Sequence, residues 1–400
     1  MKISIIQPQI PKLKNIHQRI SKVLKSGQLS NNSNNLINFE NKLQKEFKSK
    51  FPPVVFSSGE MAFYSLIQAW MFYLKIKKCK AIVPSFTFSG TVNALILNNI
   101  EPIFCDINES LTININQNIK ITKDVKFIIG VSTYGNIPNI LEIKKFCKKN
   151  KIVFLLDSAP AFGSKFRNKY PNSLDIDEIY SFHATKVFNS IEGGCAISSK
   201  KIINKYLKSL RNFGQYTSKR IGFGDVEIPG LNSKMHEITA SIGLENLATI
   251  KKALKSRQNV IHKYLAFFNF LENRKKIKTM KVHQDTKCNY SVFPIILNNN
   301  RNKFIDFMNK KNILCRKYYT AVHQLKFYRK KFFCTNYFLN CSCKKYCSKM
   351  EGLQNTKNIA GKVVALPLHN YSSKKKIAYI FTNIINYFGI KKTADFKNYY

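Results

Sequence analysis

Two residues in the middle of the chain carry side chains that could act together on one ligand. Asp157 follows the apolar run 152–156, and Lys186 ends the run Ser-Phe-His-Ala-Thr-Lys that begins at Ser181. A lysine amine can bind an aldehyde as a Schiff base, and a carboxylate can keep a pyridine nitrogen protonated. Pyridoxal phosphate (PLP) chemistry needs both groups, so the pair predicts a site for that cofactor.

Two segments upstream could hold other parts of such a cofactor. Gly59 and Glu60 lie between a short apolar run and a long apolar stretch with helical spacing. A helix N-terminus offers free N–H groups to a phosphate, and glycine lets the backbone come close. Phe88 follows another apolar run and could stack on a planar ring. An ordinary strand-to-helix turn and a core aromatic are the alternative interpretations.

The elements that must position these residues alternate up to about residue 200. The expected strands are residues 53–56, 80–84, 102–106, 125–129 and 152–156, and the expected helices between them are residues 60–75, 90–98 and 141–150. Continuous apolar strands separated by helices indicate a parallel sheet that is covered on both faces. We therefore predict an α/β architecture with ligands at the carboxyl ends of the strands.

The pattern changes after Lys251, where a long basic and apolar helix leads into an apolar run at residues 290–297. Helices are expected near residues 304–311 and 373–388, and a strand at residues 363–367. We predict a large domain over residues 1–250 and a smaller C-terminal domain over residues 251–400. The asparagine-rich residues 31–38 are expected to form a loop.

The net charge of +44 suggests an anionic partner, but the basic residues are spread along the whole chain. Nucleic-acid binding usually needs a clustered basic patch, so we do not expect it as the main function. The surface could still attract a nucleotide-linked substrate. The longest apolar stretch, residues 62–74, is too short to span a bilayer and no targeting peptide is evident, so we expect a cytoplasmic protein without membrane contact.

The ten cysteines fall into two groups. Six are isolated in apolar or mixed surroundings, and we expect them to be reduced and mostly buried. The other four, Cys334, Cys341, Cys343 and Cys347, crowd into one segment and could hold zinc or form an exposed loop. Their spacing lacks a Cys-x-x-Cys pair, which does not favour zinc. We assign no metal to the predicted active site.

The order of short motifs along nearly the whole chain resembles the DegT/DnrJ/StrS family of PLP-dependent sugar aminotransferases. The matching motifs are SGQLS at 26–30, NFE at 38–40, PSFTF at 84–88, PIFCD at 102–106, DSAPAFG at 157–163, SFHATK at 181–186, EGG at 192–194, RNFG at 211–214, GLNSKMHE at 230–237 and LPLH at 366–369. The resemblance implies a fold type I PLP-dependent transferase. Such an α/β protein has a large, mixed but mostly parallel sheet domain and a smaller C-terminal α+β domain.

The resemblance also implies roles for the first candidate residues. Lys186 would hold the cofactor and move a proton, and Asp157 would pair with the pyridine nitrogen. The backbone at Gly59 and Glu60, together with the Ser181 hydroxyl, would hold the phosphate.

The same resemblance implies roles for further residues. Phe88 would stack on the ring, and Asn232 would reach the phosphate in the neighbouring subunit of a homodimer with shared active sites. His183, Arg316 and His323 are candidates for contact with the substrate.

The chain departs from the family pattern at two positions near the expected cofactor. Pro160 stands where many members have a glutamine or histidine, so a hydrogen bond to the cofactor is missing or comes from elsewhere. Glu60 replaces a usual threonine, and we expect its carboxylate to point away from the phosphate. Lys186 itself distinguishes the chain from related dehydratases, which have histidine at that position.

The activity implied is amino transfer, with L-glutamate as donor, to a keto sugar of a nucleoside diphosphate on the way to amino sugars and polysaccharides. A 4-keto-6-deoxyhexose is the expected acceptor, and a 3-keto sugar is the alternative. A non-catalytic regulator or nucleic-acid-binding protein on the same fold is a second alternative, because fold alone does not fix function.

Overall fold

A computed structural model describes residues 2–31, 33–116, 121–215, 225–332, 352–391 and 399. Its helices are α1 (Leu13–Ser26), α2 (Asn34–Phe47), α3 (Gly59–Leu74), α4 (Ser89–Leu97), α5 (Ile140–Asn150), α6 (Lys201–Arg211), α7 (Glu237–Asn273), α8 (Arg301–Lys310), α9 (Lys326–Phe332), α10 (Gln354–Lys362) and α11 (Lys374–Tyr387). Its strands are β1 (Val54–Phe56), β2 (Cys79–Pro84), β3 (Ile100–Cys105), β4 (Val125–Val131), β5 (Val153–Asp157), β6 (Lys165–Phe166), β7 (Asp177–Ser181), β8 (Gly194–Ile197), β9 (Ile277–Thr279), β10 (Thr286–Lys287), β11 (Phe293–Leu297) and β12 (Val363–Leu366).

The large sheet has seven strands in the order β1–β8–β7–β5–β4–β2–β3. Strand β8 is antiparallel to both β7 and β1, and the other neighbouring strands pair in parallel. The predicted α/β fold with a mixed, mostly parallel sheet is therefore confirmed. Val131 pairs with Asp157, and Asp157 pairs with Ile179, so the carboxyl ends of β4, β5 and β7 meet at one edge.

Helices cover the large sheet on both faces, as its continuous apolar strands require. Ile128 packs in a core with Ile140 of α5, whereas its neighbour Ile129 packs in a core with Leu66 of α3. Successive side chains of a strand point to opposite faces, so both sets of side chains are buried. Among the described residues, no helix combines the length and the apolar composition that crossing a bilayer requires.

The C-terminal part contains a three-stranded antiparallel sheet in the order β12–β11–β9. This sheet shares an apolar core with the second half of α7 and with α8 and α11. Helix α7 runs from Glu237 to Asn273 over 37 residues. The boundary predicted near residue 250 thus lies inside a continuous helix, and the division into two domains stays a prediction.

Several local expectations need correction. Residues 34–38 of the predicted loop form the beginning of α2, because Leu36 and Phe39 lie on its buried face. Strand β7 was not predicted because it begins with the charged pair Asp177 and Glu178. Both carboxyl groups are buried, and burial raises the pKa of Asp177 to about 6 and that of Glu178 to about 7.

The six isolated cysteines are free and buried, as expected. The crowded cysteines at 334, 341, 343 and 347 lie outside the described residues, so zinc binding there stays open. Within the described ranges, no group of three or more metal-binding side chains comes together.

A buried ion pair ties α2 and α6 to strand β1. The Arg211 guanidinium donates to the Glu40 carboxylate and, at 2.8 Å, to the Val55 carbonyl oxygen. The same Glu40 oxygen accepts the Val55 N–H at 2.9 Å. Glu40 and Arg211 are only 7% and 3% exposed. The motifs NFE and RNFG, which contain these two residues, therefore stabilise the fold.

We predict that Glu40→Gln lowers the free energy of unfolding by about 3–5 kcal/mol, because it leaves the buried Arg211 guanidinium without a counter-charge. Urea titration followed by circular dichroism measures the change. The control is Glu227→Gln, which removes an exposed carboxylate 3.5 Å from Lys205 and should cost no more than about 1 kcal/mol. Equal losses in the two variants would contradict this role for Glu40.

Candidate active site

The residues predicted to bind the cofactor, apart from Asn232, come from separate segments and meet in one cavity of about 410 Å³. Gly59, Asp157, Ser181 and Lys186 all line it. The cavity lies at the carboxyl edge of the large sheet, where a parallel sheet commonly places its ligands.

Asp157 is 7% exposed at the end of β5. The Thr91 hydroxyl donates to one carboxylate oxygen at 2.6 Å, and the Ala159 N–H donates to the other at 3.0 Å. Burial raises the pKa of Asp157 above its ordinary value, while these hydrogen bonds and the charge of Lys186 oppose the rise. A cationic N–H donor in the cavity would stabilise the ionised carboxylate.

The first turn of α3 lies against the ends of β7 and β8. Ser58 caps this helix by accepting the Met61 N–H at 3.1 Å. A Cβ added to Gly59 would lie 2.6 Å from the Cβ of Ser181, and one added to Gly194 would lie 2.4 Å from the Cα of Gly59. The missing side chains therefore let helix N–H groups and the Ser181 hydroxyl share one wall of the cavity. Such a wall suits a phosphate.

Lys186 is half-buried in the connection between β7 and β8. The Phe182 N–H donates to the Gly193 carbonyl at 2.7 Å, and the Lys186 N–H donates to the His183 carbonyl at 2.9 Å. These bonds hold the connection as a compact turn beside the sheet edge. Lys186 lines the same cavity as Asp157, and its charge acts on the Asp157 carboxyl group.

Phe88 is 59% exposed at the start of α4, and its ring lies on the cavity wall. The ring centroid is 6.5 Å from that of Tyr319, which in turn stacks on Tyr134 at 5.5 Å. A large exposed aromatic that lines a cavity is well placed to stack on a flat ligand.

The predicted substrate residues separate into two groups. His183 and Arg316 line the cavity. His183 is partly exposed, with Nδ1 2.7 Å from the Thr185 hydroxyl and Nε2 3.4 Å from the Glu192 carboxylate. Arg316 is exposed, and its backbone pairs with β12.

His323 is 1% exposed and is not among the described residues that line the cavity. Its Nδ1 lies 2.7 Å from the Ser85 hydroxyl, and burial lowers the pKa of His323 to about 4. Asn232 also lies outside this cavity, where its exposed side chain accepts from Lys234 at 2.7 Å. In a single chain, therefore, neither residue is in place to contact the ligand.

The two departures from the family pattern both lie on the cavity wall. Pro160 has no side-chain donor, and its carbonyl accepts the Asn289 amide at 2.9 Å. The Glu60 carboxyl group lies beside Gly90: its carbon would be 3.6 Å from a Cβ added to that glycine. Gly90 is in the first turn of α4, where the helix dipole stabilises a carboxylate.

Sequence reasoning missed four residues that shape the cavity. Thr91 follows Phe88 by three residues, so helical spacing could have placed both on one face of α4. Ile5, Ile6 and Val292 gave no local signal of a place in the cavity, because only the folded chain brings them there.

This set of groups fits PLP on three counts. Helix N–H groups and Ser181 suit its phosphate, the buried Asp157 suits a pyridinium, and Lys186 suits its aldehyde. Pro160 leaves the phenolic oxygen of the cofactor without a partner from that position.

We predict that Gly59→Ala weakens PLP binding by about 10- to 100-fold, the cost of one hydrogen bond to a charged group. The added methyl group would force the first turn of α3 away from Ser181. Titration of the apoprotein by absorbance measures the dissociation constant. The control is Gly361→Ala in α10, because a Cβ there meets no atom within 4 Å; equal affinities would show that Ser181 can move aside.

Comparison with known proteins agrees with this site. The dTDP-4-amino-4,6-dideoxy-D-glucose transaminase of Shigella dysenteriae is 28% identical over 395 residues, which cover 96% of this chain and 98% of that protein. The GDP-perosamine synthase of Vibrio cholerae is 25% identical over 324 residues, covering 78% and 84% of the two chains.

Solved structures share the fold. Helicobacter pylori PseC, an aminotransferase involved in the biosynthesis of pseudoaminic acid, superposes with a TM-score of 0.84 at 21% identity, covering 97% of this chain and all of that one. The model of the DegT/DnrJ/EryC1/StrS aminotransferase family matches residues 12–385. The chain therefore belongs to this family of aminotransferases and uses pyridoxal phosphate as its cofactor.

Proposed function

We propose that the protein transfers an amino group from L-glutamate to the keto carbon of a nucleoside-diphosphate sugar, with a 4-keto-6-deoxyhexose as acceptor. The observation that carries the proposal is that Lys186 and Asp157 line one cavity with a phosphate cradle. The name of the Shigella dysenteriae relative specifies a 4-amino-4,6-dideoxy sugar and supports C4 as the carbon that is aminated. Amination at C3 is the alternative.

Each residue has a separable task in this reaction. When bound, PLP supplies the electron sink that lets a carbon–hydrogen bond beside an amine break. Lys186 would hold the cofactor covalently and would move a proton at Cα of the donor. Asp157 accepts the pyridine N–H and keeps that nitrogen charged. Gly59 and Ser181 fix the phosphate, which keeps the reacting atoms within reach of Lys186.

The substrate would enter along the wall that carries His183 and Arg316. Arg316 offers an exposed guanidinium, which suits a carboxylate or a diphosphate. The high positive charge of the whole chain would favour the approach of a nucleoside diphosphate. A role of His323 in substrate binding stays a prediction. A purely regulatory protein would have no chemical need for both Lys186 and Asp157.

We predict that L-glutamate converts the PLP absorbance band of the wild type to that of the pyridoxamine form and that it does not do so in Lys186→Ala. Turnover with dTDP-, UDP- and GDP-linked 4-keto-6-deoxy sugars should fall at least about 10²–10⁴-fold in the variant, because the proton carrier is gone. Lys208→Ala removes an exposed lysine on α6 and is the control.

The spectra and the sugar screen test different parts of the proposal. If the absorbance band does not change with L-glutamate but changes with another amino acid, that amino acid is the donor. Turnover of 3-keto sugars but not of 4-keto sugars would show that the enzyme aminates C3. A wild type that binds PLP and reacts with no amino acid would support the regulatory alternative.

We also propose that the active unit is a homodimer in which Asn232 reaches the phosphate of the partner subunit. The support is local: Asn232 is exposed and lies beside Leu231, which is 42% exposed. Leu231 accepts the N–H of Phe213, which is 49% exposed. Adjacent exposed apolar side chains are typical of a protein–protein interface.

Shared sites predict complementation between two inactive variants. Lys186→Ala and Asn232→Ala should each lack activity as homodimers, whereas a hybrid has one intact site. Unfolding and refolding an equal mixture should restore about a quarter of wild-type activity, because half of the dimers are hybrids with one working site. Light scattering gives the mass of each sample. A dimer without restored activity would mean that each subunit builds its site alone.

A further inference from the structure

An N-terminal strap, residues 2–10, runs beside the cavity and is anchored to both parts of the protein. At one end, the Ile3 N–H donates to the Asn312 carbonyl at 2.8 Å, and the Ile3 carbonyl accepts the Leu314 N–H at 2.9 Å. At the other end, the Asn189 amide donates to the Gln9 carbonyl at 3.1 Å. Asn312 and Leu314 follow α8, whereas Asn189 lies near Lys186, so the strap connects the substructures on either side of the site.

The middle of the strap lines the cavity with apolar side chains. Ile5 and Ile6 both contribute to the wall, together with Val292 and Tyr319. Ile5 is 6% exposed and packs into the core that contains Val292 and Tyr319, and Ile6 is half-buried against the same core. The core therefore supports this wall from behind.

The cavity thus has an apolar patch beside its polar groups, and Arg316, Tyr318 and Tyr319 also line it from outside the large sheet. Asp157, Ser181 and Lys186 come from the large sheet and suit the cofactor. Ile5, Ile6 and Val292 come from outside that sheet, and their side chains offer no hydrogen-bonding atom. A substrate hydroxyl placed against them would lose its hydrogen bonds to water without replacement.

We propose that the strap forms a subsite for the deoxygenated carbon of the acceptor sugar, with Ile6 as the residue that contacts it. The inference rests on the proposed nucleotide-sugar acceptor and deepens it. A methyl group at C6 gains apolar contact with Ile6, whereas a C6 hydroxyl is rejected. A hydrophobic pocket of this kind discriminates by about 10- to 100-fold.

The test compares two dTDP-linked amino sugars, 4-amino-4,6-dideoxyglucose and 4-amino-4-deoxyglucose, which differ only in the C6 hydroxyl. With 2-oxoglutarate as amino acceptor, each gives the keto sugar and glutamate, so kcat/KM is measured for both. Calorimetry gives the dissociation constant of each. UDP- and GDP-linked pairs are used in the same way if the protein prefers those carriers.

The wild type should favour the 6-deoxy sugar, and Ile6→Asn should lower that preference about tenfold in both kcat/KM and affinity. Ile6→Thr replaces the ethyl branch of the side chain with a hydroxyl and should act in the same direction if asparagine disturbs the strap. Ile10→Asn is the control, since Ile10 lies on the same strap but is 75% exposed. Its preference should equal that of the wild type.

The two ways of failing are distinguishable. If the wild type lacks a preference, or if both Ile6 variants keep it, the subsite is wrong and the proposed function stands. The wild type could instead neither bind nor convert any nucleotide sugar while its PLP band still changes with L-glutamate. In that case the proposed acceptor is wrong, and so is the proposed subsite.

Discussion

The active site depends on one close approach of backbone segments, in which the first turn of α3 lies against the ends of β7 and β8. Gly59 and Gly194 make this possible, because a Cβ on Gly194 would lie only 2.4 Å from the Cα of Gly59. The contact brings free N–H groups to the sheet edge where β5 delivers Asp157. A phosphate held there fixes how far the rest of the cofactor can move from Lys186.

Two buried carboxylates in neighbouring strands of the large sheet differ in whether they are available to a ligand. Burial raises the pKa values of Asp157 and of Asp177, which lie on neighbouring strands. Asp177 is satisfied internally, because Trp70 and Ser198 donate to it at 2.7 and 2.8 Å. Asp157 has protein donors as well, but it also lines the cavity. Its charge is therefore available to a cationic ring, which offsets the cost of burying it.

The sequence predicted what is local and missed what depends on tertiary contact. The strand that ends at Asp157 and the turn at Gly59 carry apolar runs and glycine, whose physical meaning does not depend on distant residues. Strand β7 was missed because buried acidic residues resemble a surface segment until their donors are known. The contact of the His323 ring with Ser85 is one that no sequence spacing reveals, and its predicted contact with the substrate stays a prediction.

The origin of the cavity-lining residues explains why such a fold can keep one chemistry and change its substrate. The groups that suit PLP belong to a sheet edge whose strands fix one another, so a shift of any strand disturbs them all. Ile6 and Arg316 come from segments that flank this sheet and can change without moving Asp157. The relatives from Shigella dysenteriae and Vibrio cholerae, 28% and 25% identical, carry names of different sugars, one linked to dTDP and the other to GDP. We expect that variation to concentrate on the strap wall, because a methyl or hydroxyl group on the sugar meets its environment there.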